Sequence, residues 1–584
     1  ETEIARVFGG GDAAAVPATD VTIWGGNAIG KAFGGGNGEV TAADVTGDVN
    51  LTIKGGKIID AFGGSNTQGA IGGEVSVTVE KDELACTMDV TNLYGGGNEA
   101  SGKAGTLNII CTGDGHITNV YGGANRADVT GDITLNIKGG QITNAFGGNN
   151  NSGIIDGAIT VNVDWATGAD ACGTNSLANV YGGGNQSAYR PTNNDDFAEV
   201  LIENCDNSIA YVYGGGNAAP VPATKVTIYG ANAIDHAFAG GNGAGAGNPG
   251  ADVGYLGYHS SGSNETYGSG NAEINVLGGT VHNIYGGSNT LGYIRTGTSV
   301  SVKQVGVCSL IVGNVFGGGN EADIDGNITI NLDCDKGSDL LYAGANNADV
   351  NGSITLNIYS GTFGKVFCGN NTGGAVRGKL TVNVDETGCW PVMIGELYGG
   401  GNKAGYSVYG YEVDDDGKTL RDTDGNVVVK TEGSKLYEDP EVNLYSFTRI
   451  GKVFGGGYGK TAVVHGDTHV NVQPIPGDYA DGSATPDFVL NSTDETIRVS
   501  NTQTVLEVLG ADKIGSIGSI YGGGNAGAVY GDTEVNIGTL STNHHIHGND
   551  TETEIDVAVT ITGDVFGGGN EAIVTGDTHV TIGE

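Results

Sequence analysis

The residues of this sequence best suited to chemistry, by type and spacing, are histidines and aspartates crowded into short polar stretches. His544, His545 and His547, with Asp550 close behind, form the densest potential set of transition-metal ligands. The simpler reading is a solvated loop. Asp414, Asp415, Asp416, Asp422 and Asp424 offer carboxylate oxygens to calcium, but their spacing lacks the sixth-position glycine and terminal glutamate of an EF-hand. A polar turn explains them as well, so no cofactor is expected and calcium at these aspartates is the alternative.

A glycan-cleaving site would need acids that stand out from the repeat. Instead Asp48, Asp132, Asp467, Asp532 and Asp577 recur in Gly-Asp turns, where side-chain acceptance from the backbone is the usual reason for aspartate. A catalytic acid should occur once, and no residue qualifies. The strings FGGGN and YGGGN lack the lysine and following helix of a phosphate loop, and their many copies suit a structural turn. Tyr255, Tyr258, Tyr406, Tyr409 and Tyr411 could stack on sugars from loops. Rows such as Thr134 with Asn136 and Thr160 with Asn162 would make a flat polar face, open to ice or glycans but more simply solvated.

These residues sit on a repeat. An aromatic followed by glycines recurs seventeen times, at Phe8, Phe33, Phe62, Tyr94, Tyr121, Phe146, Tyr181, Tyr213, Phe238, Tyr285, Phe316, Tyr342, Phe367, Tyr398, Phe454, Tyr521 and Phe566. Four residues later fifteen copies carry Asn, among them Asn37, Asn66, Asn98, Asn125, Asn185, Asn217, Asn320, Asn402, Asn525 and Asn570; the exceptions are Asp12 and Tyr458. Between these marks Ile133-Thr-Leu-Asn-Ile137 and Leu380-Thr-Val-Asn-Val384 alternate apolar and polar residues, the signature of a strand with one buried face. No segment has a helical period.

Units as short as 25 residues cannot bury their own apolar edges, so they must stack. The expectation is an all-β parallel β-helix, a β-solenoid of about seventeen coils, forming a rod on the order of 80 Å. Equivalent side chains then form ladders: aromatics in the core or a corner, asparagines bonding coil to coil, and glycines admitting positive φ. Residues 1–402 are read as coils with an insertion near 243–272, 403–448 as a projecting hairpin-like insertion and 449–472 as a coil. Residues 473–515 are a further insertion, and 516–584 are coils with an insertion near 538–556. Insertions are where function usually sits on such a scaffold.

Cys86 and Cys111 precede their aromatics by eight and ten residues, Cys172 and Cys205 by nine and eight, and Cys308 and Cys334 by eight. Successive coils would bring each pair within disulfide range, so Cys86–Cys111, Cys172–Cys205 and Cys308–Cys334 are expected. A ladder of buried thiols is the alternative. Cys368 and Cys389 occupy different slots and their pairing stays open. Disulfides would place the chain in an oxidising compartment.

A net charge of −41, with 26 Lys and Arg against 67 Asp and Glu, argues against nucleic acid, heparin or anionic lipid as partner. No apolar run is long enough to enter a membrane directly. Glu1–Val7 already lie within a repeat, as in a processed or excised segment.

With repeats such as VFGGGNEAIVTGDTHVTIGE (Val565–Glu584) and VYGGANRADVTGDITLNIKGG (Val120–Gly140), nearly the whole chain resembles the large glycine-rich, adhesin-like surface proteins of Gram-negative gut anaerobes. More loosely it resembles pectin-lyase-like right-handed β-helices and autotransporter passenger domains. The resemblance implies a right-handed β-helix at the bacterial cell surface, and carries no catalytic motif onto any residue here. The expected function is a non-enzymatic extracellular stalk or adhesin whose insertions, between Lys403 and Gly515 above all, meet a host or microbial surface glycan or protein. End-to-end or lateral self-association could accompany it. The alternative is a glycan-binding or glycan-cleaving β-helix.

Overall fold

The computed structural model describes residues 3–165, 172–193, 195–244, 250–258, 265–267, 270–386, 389–415, 419–423, 427–472, 515–538, 542–548, 551–557 and 559–583, with backbone alone for 255–258, 265–267, 542–548 and 551–557. Among these residues there are strands and turns and no helix. The chain forms two compact units. One comprises Glu1–His282, Gly287–Thr296 and Val305–Ser309; the other Asn283–Gly286, Gly297–Gln304 and Leu310–Glu584. Each is a parallel β-helix.

One coil of the first unit shows the construction. The strand Gln141–Phe146 ends on its aromatic, pairs in parallel with His116–Tyr121 and Ser176–Tyr181, and runs into a glycine turn. A short segment follows, bridged at Ile155 to Val129 of the preceding coil. The strand Ile159–Asp164 completes the circuit, in register with Ile133–Ile137. In the second unit Ile354–Ile358 likewise lies between Asn327–Leu332 and Leu380–Asp385.

The period-two pattern does what it implies. Ile133, Leu135 and Ile137 are buried, while Thr134 and Asn136 remain half-exposed on the outer face. Each fully buried aliphatic contributes roughly 1.5–3 kcal/mol. Aromatics stack coil upon coil, with ring centroids 4.6 Å apart for Phe62–Tyr94 and 5.1 Å for Tyr213–Phe238. The second unit repeats this from Tyr285–Phe316, at 4.7 Å, to Tyr521–Phe566, at 4.9 Å.

Beside the rings runs a turn ladder in which each asparagine amide donates to the carbonyl oxygen of the one before. Asn37 donates to Asp12, Asn66 to Asn37, Asn98 to Asn66 and Asn125 to Asn98. The series continues through Asn150, Asn185 and Asn217. In the second unit it joins Asn320, Asn346, Asn371 and Asn402, and again Asn525 with Asn570.

The glycines of this motif differ from expectation. Gly34, Gly35 and Gly36 are absent from the positive-φ region, which is occupied instead by glycines of other turns, such as Gly140 at φ 105°. What excludes a side chain is the neighbouring coil: a Cβ on Gly34 would lie 2.5 Å from Gly63 O and 2.6 Å from Val49 Cγ1.

The disulfides also differ. The bonds are Cys111–Cys172, Cys205–Cys308 and Cys334–Cys389, with Cα separations of 5.2, 5.6 and 4.5 Å. Cys86–Cys111, Cys172–Cys205 and Cys308–Cys334 do not form; Cys86 is an exposed thiol and Cys368 a buried one. The physical reason is turn length. Cysteines sit in long turns that close over the short glycine turns of the coils between them. A Cβ on Gly139 would lie 2.8 Å from Cys172 Cβ, and one on Gly230 would lie against Cys308 Sγ. Each bond therefore skips at least one coil.

Candidate functional site

One group of departures from the repeat with described side chains lies in the second unit between Lys365 and Lys460. Residues 403–448 do not project as a single hairpin. Tyr406–Ser407 pairs in parallel with Val464–His465, and Glu441–Ser446 pairs with Leu380–Asp385, so the coil continues on both sides. Between them three short stretches close on one another: Glu412 N donates to Val428 O, Leu420 N to Glu412 O, and Val428 N to Leu420 O. This ring lies down on the coils. Tyr411 and Val427 pack against Ala375, and the Tyr411 hydroxyl donates to Val376 O at 2.9 Å while accepting from Val376 N at 3.0 Å. Asp349 anchors the far side, 3.0 Å from Arg377 Nη2, 2.8 Å from Thr419 Oγ1 and 3.5 Å from Arg421 Nη2. The valines and tyrosine that read as a projecting hairpin need cover, and the coil supplies it.

That placement removes two candidates for sugar stacking. Tyr406 and Tyr411 are buried, and burial raises both hydroxyls above the usual tyrosine range. Tyr409 is half-buried; the side chains of Tyr255 and Tyr258 lie outside the described residues. Asp414 and Asp422 lie in turns of the ring, whereas Asp416 and Asp424 lie outside the described residues. Among the described residues no three His, Cys, Asp or Glu side chains are grouped to hold a metal. His544, His545 and His547 fall on an antiparallel hairpin, Thr542–Gly548 with Thr551–Val557, opposite Ile555, Glu554 and Glu552. Their side chains, and Asp550, lie outside the described residues.

The recurrent aspartates bond backbone from coil to coil. Asp48 accepts from Glu74 N, Asp132 from Ala158 N, Asp467 from Asp532 N and Asp532 from Asp577 N, at 2.7–2.9 Å. Two other acids are buried beside the Cys334–Cys389 bond. Glu386 accepts from Val392 N at 2.8 Å and from Thr448 Oγ1, and burial outweighs these bonds to push its carboxyl up to about 7. Burial likewise pushes Asp335 up to about 6.

One feature is masked in the sequence by the chain's net charge. On the aromatic-bearing face Lys365, Glu396, Lys452 and Ser519 stand in register, with Arg449 in register with Met393 and Ser516. Lys365 Nζ lies 2.9 Å from Glu396 Oε2 and 4.1 Å from the ring centroid of Tyr458. The Tyr398 hydroxyl donates to the same carboxylate oxygen at 2.9 Å. Burial opposes both charges, but their hydrogen bonds prevail: Lys365 is held above the usual lysine range and Glu396 below the usual carboxylate range. Arg449, Lys452 and Lys460 are exposed. The signal was present in Arg449-Ile-Gly-Lys-Val-Phe-Gly-Gly-Gly-Tyr-Gly-Lys460, three cations without an acid in the one Asn-less coil that has tyrosine instead. Net charge hid it. Compared with known proteins, this chain matches no family model, no curated protein and no solved structure.

Proposed function

We propose that this chain is an extracellular surface scaffold, an adhesin-like stalk that presents binding elements on a β-helix and works by binding rather than turnover. The observation that carries this reading is the division of labour along the sequence. Strand pairing, aromatic stacking and amide ladders recur coil after coil, and the ring at 411–429 and the cationic strand Arg449–Phe454 depart from them. A repeat whose acids are engaged in coil-to-coil bonds is built to persist, and three disulfides suit an oxidising, extracellular setting. The resemblance to bacterial surface repeats supports the same location.

The test is adhesion of beads carrying the chain to mucin-coated and epithelial surfaces. A variant with residues 412–428 replaced by Asn-Gly, joining Tyr411 to its partner Val429, should stay folded and lose adhesion. Undiminished adhesion would move the binding surface off this ring. Release of reducing ends from glycans by the intact chain would replace the reading with a glycan-cleaving β-helix.

A further inference from the structure

We propose that the outer face of the strand Arg449–Phe454, with Lys365, binds an acidic glycan through its carboxylate or sulfate groups. The inference rests on the adhesive reading above and adds to the ring at 411–429 a second contact surface, with its ligand class and residues. The first support is charge contrast. In a chain of net charge −41, residues 449–460 carry three cations and no acid. Arg449 and Lys452 project from one strand, and Lys365 stands two coils away in the same column as Lys452. The one acid among them, Glu396, is engaged by Lys365 and by the Tyr398 hydroxyl.

The second support is independent of charge. The asparagine ladder is interrupted in this same coil: Tyr458 replaces the rung between Asn402 and Asn525. Its ring stands edge-on to Phe367 and Tyr398, with centroids 6.1 and 5.4 Å away, and its face lies against the Lys365 ammonium. A rung that keeps its backbone bonds to the coils on either side but lacks the side-chain amide bonds therefore holds a cation in place. Beside the column of Lys365 and Lys452, on the side of Arg449, the floor is bare backbone. Gly364, Gly395, Gly451 and Gly518 follow one another, and a Cβ on Gly451 would lie 2.4 Å from Gly395 O. An extended chain can lie along this floor, with its anionic groups reaching Arg449 and Lys452. Guanidinium and ammonium groups pair with carboxylates and sulfates through charge-assisted hydrogen bonds.

The surrounding acidity gives the interaction a distinctive salt response. At 0.01 M salt the screening length is about 30 Å, so distant acids repel a polyanion; at 0.15 M it is about 8 Å, and the local cations dominate. Binding should therefore rise from 0.01 to 0.15 M salt and fall again by 1 M.

The experiment is calorimetric titration of the whole chain with polygalacturonate, dextran sulfate and neutral dextran at those three salt concentrations. The expected result is polyanion binding strongest at 0.15 M, with none to neutral dextran. Preference between the two polyanions identifies carboxylate or sulfate as the group recognised. The double variant Arg449→Gln/Lys452→Gln changes exposed side chains only and should weaken binding about tenfold or more. Tyr458→Asn restores the missing rung, so it should fold well and still bind several-fold more weakly. No polyanion binding at 0.15 M, or equal binding by the double variant, would overturn the proposal. Arg449-dependent dimerisation without polyanion binding would also overturn it and assign the face to a second copy of the chain. Adhesion of the intact chain measured alongside separates the two readings: no adhesion to any surface counts against the scaffold role, whereas absent polyanion binding counts against this site alone.

Discussion

At Gly63 a Cβ would stand 2.3 Å from Gly95 O and 2.6 Å from Val77 Cγ2, two parts of neighbouring strands and turns that have no room to retreat. Gly63→Ala should therefore cost about 3 kcal/mol, the upper range for overpacking. Gly102 meets nothing within 4 Å, and Gly102→Ala should be neutral or slightly stabilising. Urea unfolding of the pair checks the distinction, and equal effects would remove the close-approach account of the motif. Glu386 gives a second test at this scale. Its folded carboxyl titrates at about 7 against an ordinary 4.5, so the protonated form is the one that folding favours. Its stabilising contribution is complete below about pH 4.5 and disappears as pH rises through 7. The difference amounts to about 3 kcal/mol. Glu386→Gln should make the stability profile less steep between those limits, leaving the share of Asp335, and an unchanged slope in urea titrations would contradict the assignment.

The strands and ladders were legible in the sequence because their causes are local. Ile133-Thr-Leu-Asn-Ile137 states which face is buried, and a four-residue offset from each aromatic places the asparagines in one column. Disulfide pairing was not legible, because it depends on how far a turn reaches. The turn at Lys138-Gly139-Gly140 is short enough for the longer cysteine turns on either side to meet above it, which equal slot counting does not register. The ring at 411–429 is illegible for a related reason: alternation shows that Tyr411 and Val427 need cover without showing that Ala375 provides it. Because the bonds skip coils, they close loops of 55–103 residues, and each should contribute about 4 kcal/mol by restricting the unfolded chain. Non-reducing peptide mapping should recover Cys111 linked to Cys172, and Cys111→Ser should lower stability by about that amount. A Cys86–Cys111 peptide would overturn the pairing.

For the molecule as a whole, 67 acids against 26 basic residues impose a repulsion that no single contact relieves. The turn aspartates illustrate its origin: Asp467, Asp532 and Asp577 follow one another in successive coils, joined by bonds from backbone amides. Those bonds offset part of the cost, and dissolved cations must screen the remainder. Raising salt from 0.01 to 0.5 M should therefore raise the melting temperature at pH 8, by several degrees if the screened repulsion is about 1–2 kcal/mol. Lowering pH from 8 to 5 should act in the same direction through Glu386 and, to a smaller extent, Asp335. The two causes separate cleanly, because exposed charges are screened whereas a buried carboxyl is not. In 0.5 M salt the wild-type chain should still gain stability between pH 8 and 5, and Glu386→Gln should gain much less. If high salt abolished the pH dependence of the wild type, surface repulsion would account for all of it, and the buried carboxyl would have no part in the stability of the stapled corner.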